Sequence, residues 1–257
     1  MKVKPDTVCR IAACDAVSLS LDAECSVAAV RLLPSTAEQQ VIELDGSKTF
    51  VFPSLRTPEF VRIDWLAASG DSEAACTTYA EVVSRHYFGL DELFAYDGGI
   101  DDFDKYPRDQ VEAARQAATE VFEQNANRSF VARIGRTKDY GRGGLLHMRH
   151  NDIREITTPG YVQVSDCQAD RVFSPEPFPR WVEYVYGAET MPAQVSRAVL
   201  LLAVYMLRPS NRPLGATGES TDAGYIHFTT AGRDGATDIP EVNAAIEQFG
   251  RAGQSVW

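Results

Sequence analysis

The sequence is short of the features that usually betray an activity, and each shortage excludes something. Basic residues are outnumbered: 25 Lys and Arg stand against 36 Asp and Glu, a formal net charge of −11 over 257 residues. A protein that grips duplex DNA by neutralising phosphates carries a basic face, and this balance argues against one. An acidic wall would instead let a duplex slide past without sticking. Long apolar runs are missing as well. The longest, Ala198–Leu207, covers about half of the roughly 20 residues a spanning helix needs. The opening Met-Lys-Val-Lys-Pro-Asp does not lead into an apolar run of signal-peptide type, so a protein made in a cytosol is expected, with no membrane partner.

Cysteine offers no framework. Cys9, Cys14, Cys25, Cys76 and Cys167 are odd in number and form no Cys-x-x-Cys pair, so in a reducing compartment they read as small core or surface residues. The sequon Asn127-Arg128-Ser129 is then a chance match. Catalytic signatures are absent too: there is no Gly-x-Ser-x-Gly and no His-Glu-x-x-His. His147-Met148-Arg149-His150-Asn151-Asp152 offers two histidines and a carboxylate, but residues three apart on a strand point to opposite faces, so a strand end and turn is expected there and no metal site. The glycine cluster Gly141-Arg142-Gly143-Gly144 lacks the Lys-Ser/Thr and the following helix of a phosphate loop, and reads as a hairpin turn. No cofactor and no enzymatic role are expected, although an active site built from residues distant in sequence would leave no local signature.

The elements themselves are legible. Short runs rich in Val, Ile, Phe and Tyr recur over residues 8–12, 17–21, 27–33, 41–44, 50–52, 60–66 and 77–87, parted by turns such as Asp45-Gly46. Val61, Ile63 and Trp65 alternate with Arg62 and Asp64, as in a strand with one wet face. A small sandwich or open barrel over 1–95 follows. After the polar stretch around Asp97-Gly98-Gly99 and Asp101–Asp104 the period changes. Val111, Ala114, Ala118, Val121 and Phe122 mark an amphipathic helix after Pro107. A β ribbon is expected next, with residues 130–134 and 145–149 flanking the glycine turn, then a strand over Trp181–Tyr186. An all-apolar helix runs to Leu207, opened near Pro192 with Thr190 as its cap. The last segment is rich in Gly, Ser, Thr and Asp, adds a strand near Tyr225–Phe228, and ends in a helix over 239–249 capped by Asp238. The fold class is α+β: a sandwich-like all-β region (1–95), a helical and β-ribbon core (96–210), and an extended C-terminal arm (211–257).

From residue 104 onward the order of these features resembles the phage head-to-tail adaptor (connector) family. The resemblance is carried by the helix after Pro107 with Asn127-Arg128-Ser129-Phe130 behind it and by the glycine turn 141–144. It continues through Trp181-Val182-Glu183-Tyr184-Val185-Tyr186-Gly187 with Met191-Pro192, and through the helix from Val195. The stretch from Tyr225 through Ala231-Gly232-Arg233 to Ile239–Ile246 is similar to the C-terminal arm of actinobacteriophage members. The first ninety residues lie outside it, and Gly187 follows Tyr186 directly, a departure from the family's Tyr-x-x-Gly spacing.

The resemblance implies a structural virion protein of the neck, assembled in the host bacterial cytoplasm. Subunits would form a closed, typically dodecameric ring below the portal and extend the DNA channel toward the tail. Its partners would be further copies of itself, the portal protein and a tail-side neck or tail-terminator protein, with duplex DNA passing through the lumen without sequence-specific binding. The arm would supply contacts through Pro213, Tyr225, Ile226, Phe228, Ile239, Val242, Ile246, Phe249 and Trp257. The rival reading is another virion component, a tail-completion or decoration protein built on the β region.

Overall fold

A computed structural model describes residues 1–67, 74–96, 106–141, 143–164, 171–174, 178–208, 218–221, 224–227 and 236–251. The chain divides into two compact units, each made of two separated stretches: Met1–His86 with Ser129–Glu189, and Tyr87–Arg128 with Thr190–Trp257. Strands dominate the first and helices the second, so the class is mixed α and β. The segment 96–210 is thus shared between the two units.

The first unit opens with eight strands in two sheets. One sheet holds β1 (Lys2–Val3), β3 (Val17–Leu21) and β6 (Thr49–Phe52), in the order β1-β3-β6. The other has the order β2-β8-β7-β4-β5, from β2 (Val8–Ala12), β4 (Val27–Pro34), β5 (Gln40–Glu43), β7 (Glu59–Ala67) and β8 (Ala74–Val83). Their facing side chains meet in one core, where Leu19, Phe50 and Phe52 join Val30, Leu32, Ile63, Trp65 and Val82. That is the sandwich the alternation in the sequence implies. Trp65 settles its one polar atom by donating its indole N–H to Thr78 Oγ1 at 3.0 Å. Asp64 departs from the expected wet face. It is only 4% exposed, because Arg62 Nε at 2.8 Å and Thr77 Oγ1 at 2.9 Å hydrogen-bond its carboxylate.

Residues 129–189 add two three-stranded antiparallel sheets. β11 (Ile153–Ile156), β14 (Arg180–Tyr186) and β9 (Arg133–Asp139) form one; β10 (Gly144–His147), β13 (Arg171–Ser174) and β12 (Val162–Gln163) form the other. Val182, Tyr184 and Tyr186 from the first and Val172 from the second close a small core with Met148, Ile153 and Tyr161. The expected hairpin across the glycine turn is corrected here. β9 pairs with β14 in an unbroken register from Arg133↔Tyr186 to Asp139↔Arg180, while β10 pairs with β13. The longer β14, with every second side chain buried, competes successfully for β9. Gly141, Gly143 and Gly144 at positive φ then carry the chain from one sheet to the other.

The second unit is helical. It holds α1 (Leu90–Phe94), a short helix the sequence did not signal, α2 (Arg108–Ala126), α3 (Ala193–Leu207) and α4 (Pro240–Phe249). The amphipathic period is realised in α2, which buries Val111, Ala114, Ala118, Phe122 and Ala126 and ends on Asn127 in the left-handed region, φ 47°. α3 packs against both α2 and α4. Two caps differ from expectation. Thr190 does not cap α3, whose N-cap is Pro192, and Asp238 does not cap α4, whose N-cap is Ile239 with Pro240 following. Asp238 instead accepts a hydrogen bond from Tyr205 at 3.1 Å. Asn243 takes over the α4 entrance, its Oδ1 accepting from Thr237 N and its Nδ2 donating to Thr237 O, both at 2.8 Å. The backbone of 218–221 and 224–227 forms the hairpin β15–β16.

Candidate interface

The residues expected to meet a partner fall in three groups. Pro213, Phe228 and Trp257 lie outside the described residues, and Tyr225 and Ile226 fall on β16. Ile239, Ile246 and Phe249 are half-buried, and Val242 is wholly buried. The helix carrying Val242 packs on α2 and α3 of its own unit. Three further contacts hold it there. Arg251 N donates to Ala126 O at 2.8 Å, Arg197 pairs with Glu241 at 2.9 Å, and Gly250 approaches Ala126 so closely that a Cβ would stand 3.1 Å from its Cα. Val242 is therefore part of the chain's own core.

An apolar face that the sequence did not single out lies on the β10-β13-β12 sheet. Leu145, Phe173 and Val162 are each more than half exposed, and they stand in one cross-strand row, Leu145↔Phe173 and Val162↔Phe173. On the opposite face Val172 is wholly buried. Trp181, Phe178 and Tyr140 in the same unit are also exposed, and the Lys138 ammonium sits 5.4 Å from the Tyr140 ring centre. Contiguous apolar surface of this kind characterises contact sites more than solvated faces. Its signal in the sequence was the Arg-Val-Phe-Ser alternation of 171–174, inside a stretch otherwise read as a connector.

Two polar clusters were weighed for chemistry. Asp139 ends β9, 4% exposed, beside a cavity of about 280 Å³ lined also by Tyr140, Gly143, Leu145, Leu146 and Ser174. Its Oδ1 accepts from Gly141 N at 2.9 Å; its Oδ2 accepts from Tyr161 at 2.9 Å and from Ser174 Oγ. Burial opposes ionisation of this carboxyl, but the Ser174, Gly141 and Tyr161 hydrogen bonds and the nearby Arg180 outweigh it and hold the group below its ordinary value. The same contact, together with burial, pushes the Tyr161 phenol up. A carboxylate already accepting from three donors is a poor proton acceptor, and its evident work is to tie the glycine turn, β13 and Tyr161 to the end of β9.

The second cluster surrounds His150. Its Nδ1 lies 2.8 Å from Tyr184 OH, and its ring stacks on Tyr186 at 3.9 Å and 8°. Tyr184 is pushed up chiefly by burial. Gly135 leaves room for this stack, since a Cβ there would stand 2.7 Å from the Tyr184 ring and 3.0 Å from His150. His147 is exposed at the end of β10. Among the described residues no group of three or more His, Cys, Asp or Glu side chains could hold a metal ion.

No family model and no curated protein matches the chain. Among solved structures, a chain from the neck of an empty gene transfer agent particle with C6 symmetry is similar at 14% identity and TM-score 0.43, over 65% of this chain and 91% of that one. A chain from the virion of the native particle gives 17% identity and TM-score 0.43, over 65% of this chain and 91% of that one. A chain from the native neck with C12 symmetry gives 16% and 0.37, over 56% of this chain and 82% of that one. Overlaps this loose carry no function with them.

Proposed function

We propose that the chain is a structural subunit of a phage neck, and that it forms the head-to-tail adaptor ring between portal and tail. The observation that carries this reading is the order of motifs after residue 104 together with the elements they occupy. The Pro107 helix is α2, closed by Asn127-Arg128-Ser129-Phe130; Trp181–Tyr186 is β14; and Gly187 and Pro192 lead into α3. The solved chains of similar fold come from necks and a virion, which agrees with the reading without bearing its weight.

In such a ring each subunit offers one surface to the next. The row Leu145–Phe173–Val162 suits that contact, being apolar, exposed and presented on a paired sheet. A net charge of −11 suits a channel that must pass DNA without gripping it. No catalytic role is assigned, because Asp139 and His150 are both engaged in holding strands together.

The deciding experiment is a cryo-EM reconstruction of the intact particle that carries this chain. A ring between portal and tail whose subunits match the two units described above supports the reading. The same fold on the capsid exterior would replace it with the decoration alternative, and its absence from the particle would end both.

A further inference from the structure

We propose that Cys25 and Cys76 form a redox-closable pair, able to oxidise to an intrachain disulfide that staples the β3–β4 connection onto β8. The two residues are about fifty positions apart in sequence, yet both are free and half-buried and both pack against the same sandwich core. Their thiols are hydrogen-bonded to each other. Cys76 shares the face of Thr78, Ala80 and Val82, which points into the sandwich. Cys25 belongs to the crossing from β3 in the smaller sheet to β4 in the larger, so a bond between them would join the two sheets across one end of the core.

The other described cysteines do not compete. Cys9 lies opposite Ala80 on β2, four residues or about 13 Å along the ladder from Cys76, and Cys14 is exposed beyond the end of β2. Burial, with Cys25 beside it, pushes the Cys76 thiol up to about 11. The thiolate is the reactive form, so the pair stays reduced at neutral pH until an oxidant arrives and closes faster in mild alkali.

Closure is a two-electron oxidation. Two S–H bonds break and one S–S bond forms, while two protons and two electrons pass to a small disulfide such as oxidised glutathione, which leaves as two thiols. A particle leaving a reducing cytosol for an oxidising medium would close the pair after release. That timing rests on the neck reading; the pairing itself does not.

The test uses the purified full chain, reduced and then incubated with oxidised glutathione at pH 8. Expected results are a fall from five titratable thiols to three and a tryptic cross-link joining peptide 11–31 to peptide 63–85. Peptide 11–31 also holds Cys14, so the cross-link must persist in Cys14→Ser. Oxidised wild-type protein should melt about 5 °C or more above the reduced form, a gain absent from Cys25→Ala, whose substitution lies in a connection, and from Cys76→Ala. Five free thiols after oxidation, glutathione adducts without the cross-link, or a cross-link that survives Cys25→Ala would each overturn the pairing.

Discussion

At the scale of single residues, Gly187 and Asp139 govern most in the 129–189 region. Gly187 sits at φ 121°, its N–H donating to Asp152 O at 2.9 Å, and a Cβ on it would run into the carbonyl of Val131. Its own carbonyl and that of Ala188 accept from Arg154. Gly187→Ala combines a disfavoured backbone with a steric clash and should cost about 3 kcal/mol, read as a shift of the urea midpoint. Asp139→Asn should cost about 1–3 kcal/mol at pH 7, because an amide nitrogen would face donors in place of an oxygen that accepts from them. The sign of its pH dependence follows from a depressed native pKa. The stabilisation is complete above the unfolded value near 3.9 and is lost as the pH falls through the lower native value. Melting curves should therefore differ most between variant and wild type at neutral pH and converge below about pH 3.

Among elements, the placement of β9 and α4 is the instructive case. β9 is tied to β8 as well as to β14. Glu81, 7% exposed, accepts from Arg133 Nε at 2.6 Å and Nη2 at 2.9 Å and pairs with Arg10 Nε at 3.3 Å. Glu81→Ala should lower stability by about 3–5 kcal/mol, since two cations would lose their shared carboxylate in a largely dry site. α4 offers a contrasting test. Val242→Ala should cost about 2–3 kcal/mol and loosen hydrogen-exchange protection in α4 before it does so in α2. Removing the Arg197–Glu241 pair should change little, because both side chains are more than half exposed.

For the whole molecule, the discontinuous units set the expectations. Each unit needs chain from both sides of the other, so a fragment cut near residue 95 would lack strands β9–β14 that belong with the sandwich. Under the ring reading, Phe173→Glu should leave the melting temperature of the isolated chain nearly unchanged, because the side chain is half exposed, while sharply reducing the fraction assembled into particles. Density of the neck or a count of this chain in purified particles reads that outcome directly.

The sequence by itself determined the local elements and much of their order. Val61, Ile63 and Trp65 alternate, Val111 through Phe122 repeat at helical spacing, and Gly187 and Asn127 mark ends, because these choices depend on neighbours in the chain. It also held the motif order on which the adaptor reading stands. Pairing was decided only in three dimensions. β9 lies near β10 in sequence yet pairs with β14, more than forty residues away, because alternate burial along β14 outweighs the proximity of a glycine turn. The same holds for Asp64, expected in water and buried under arginine, for Val242, expected on a partner and found in the chain's own core, and for the meeting of Cys25 with Cys76. In each, the deciding partner is distant in sequence, and only burial against it assigns the side chain its role.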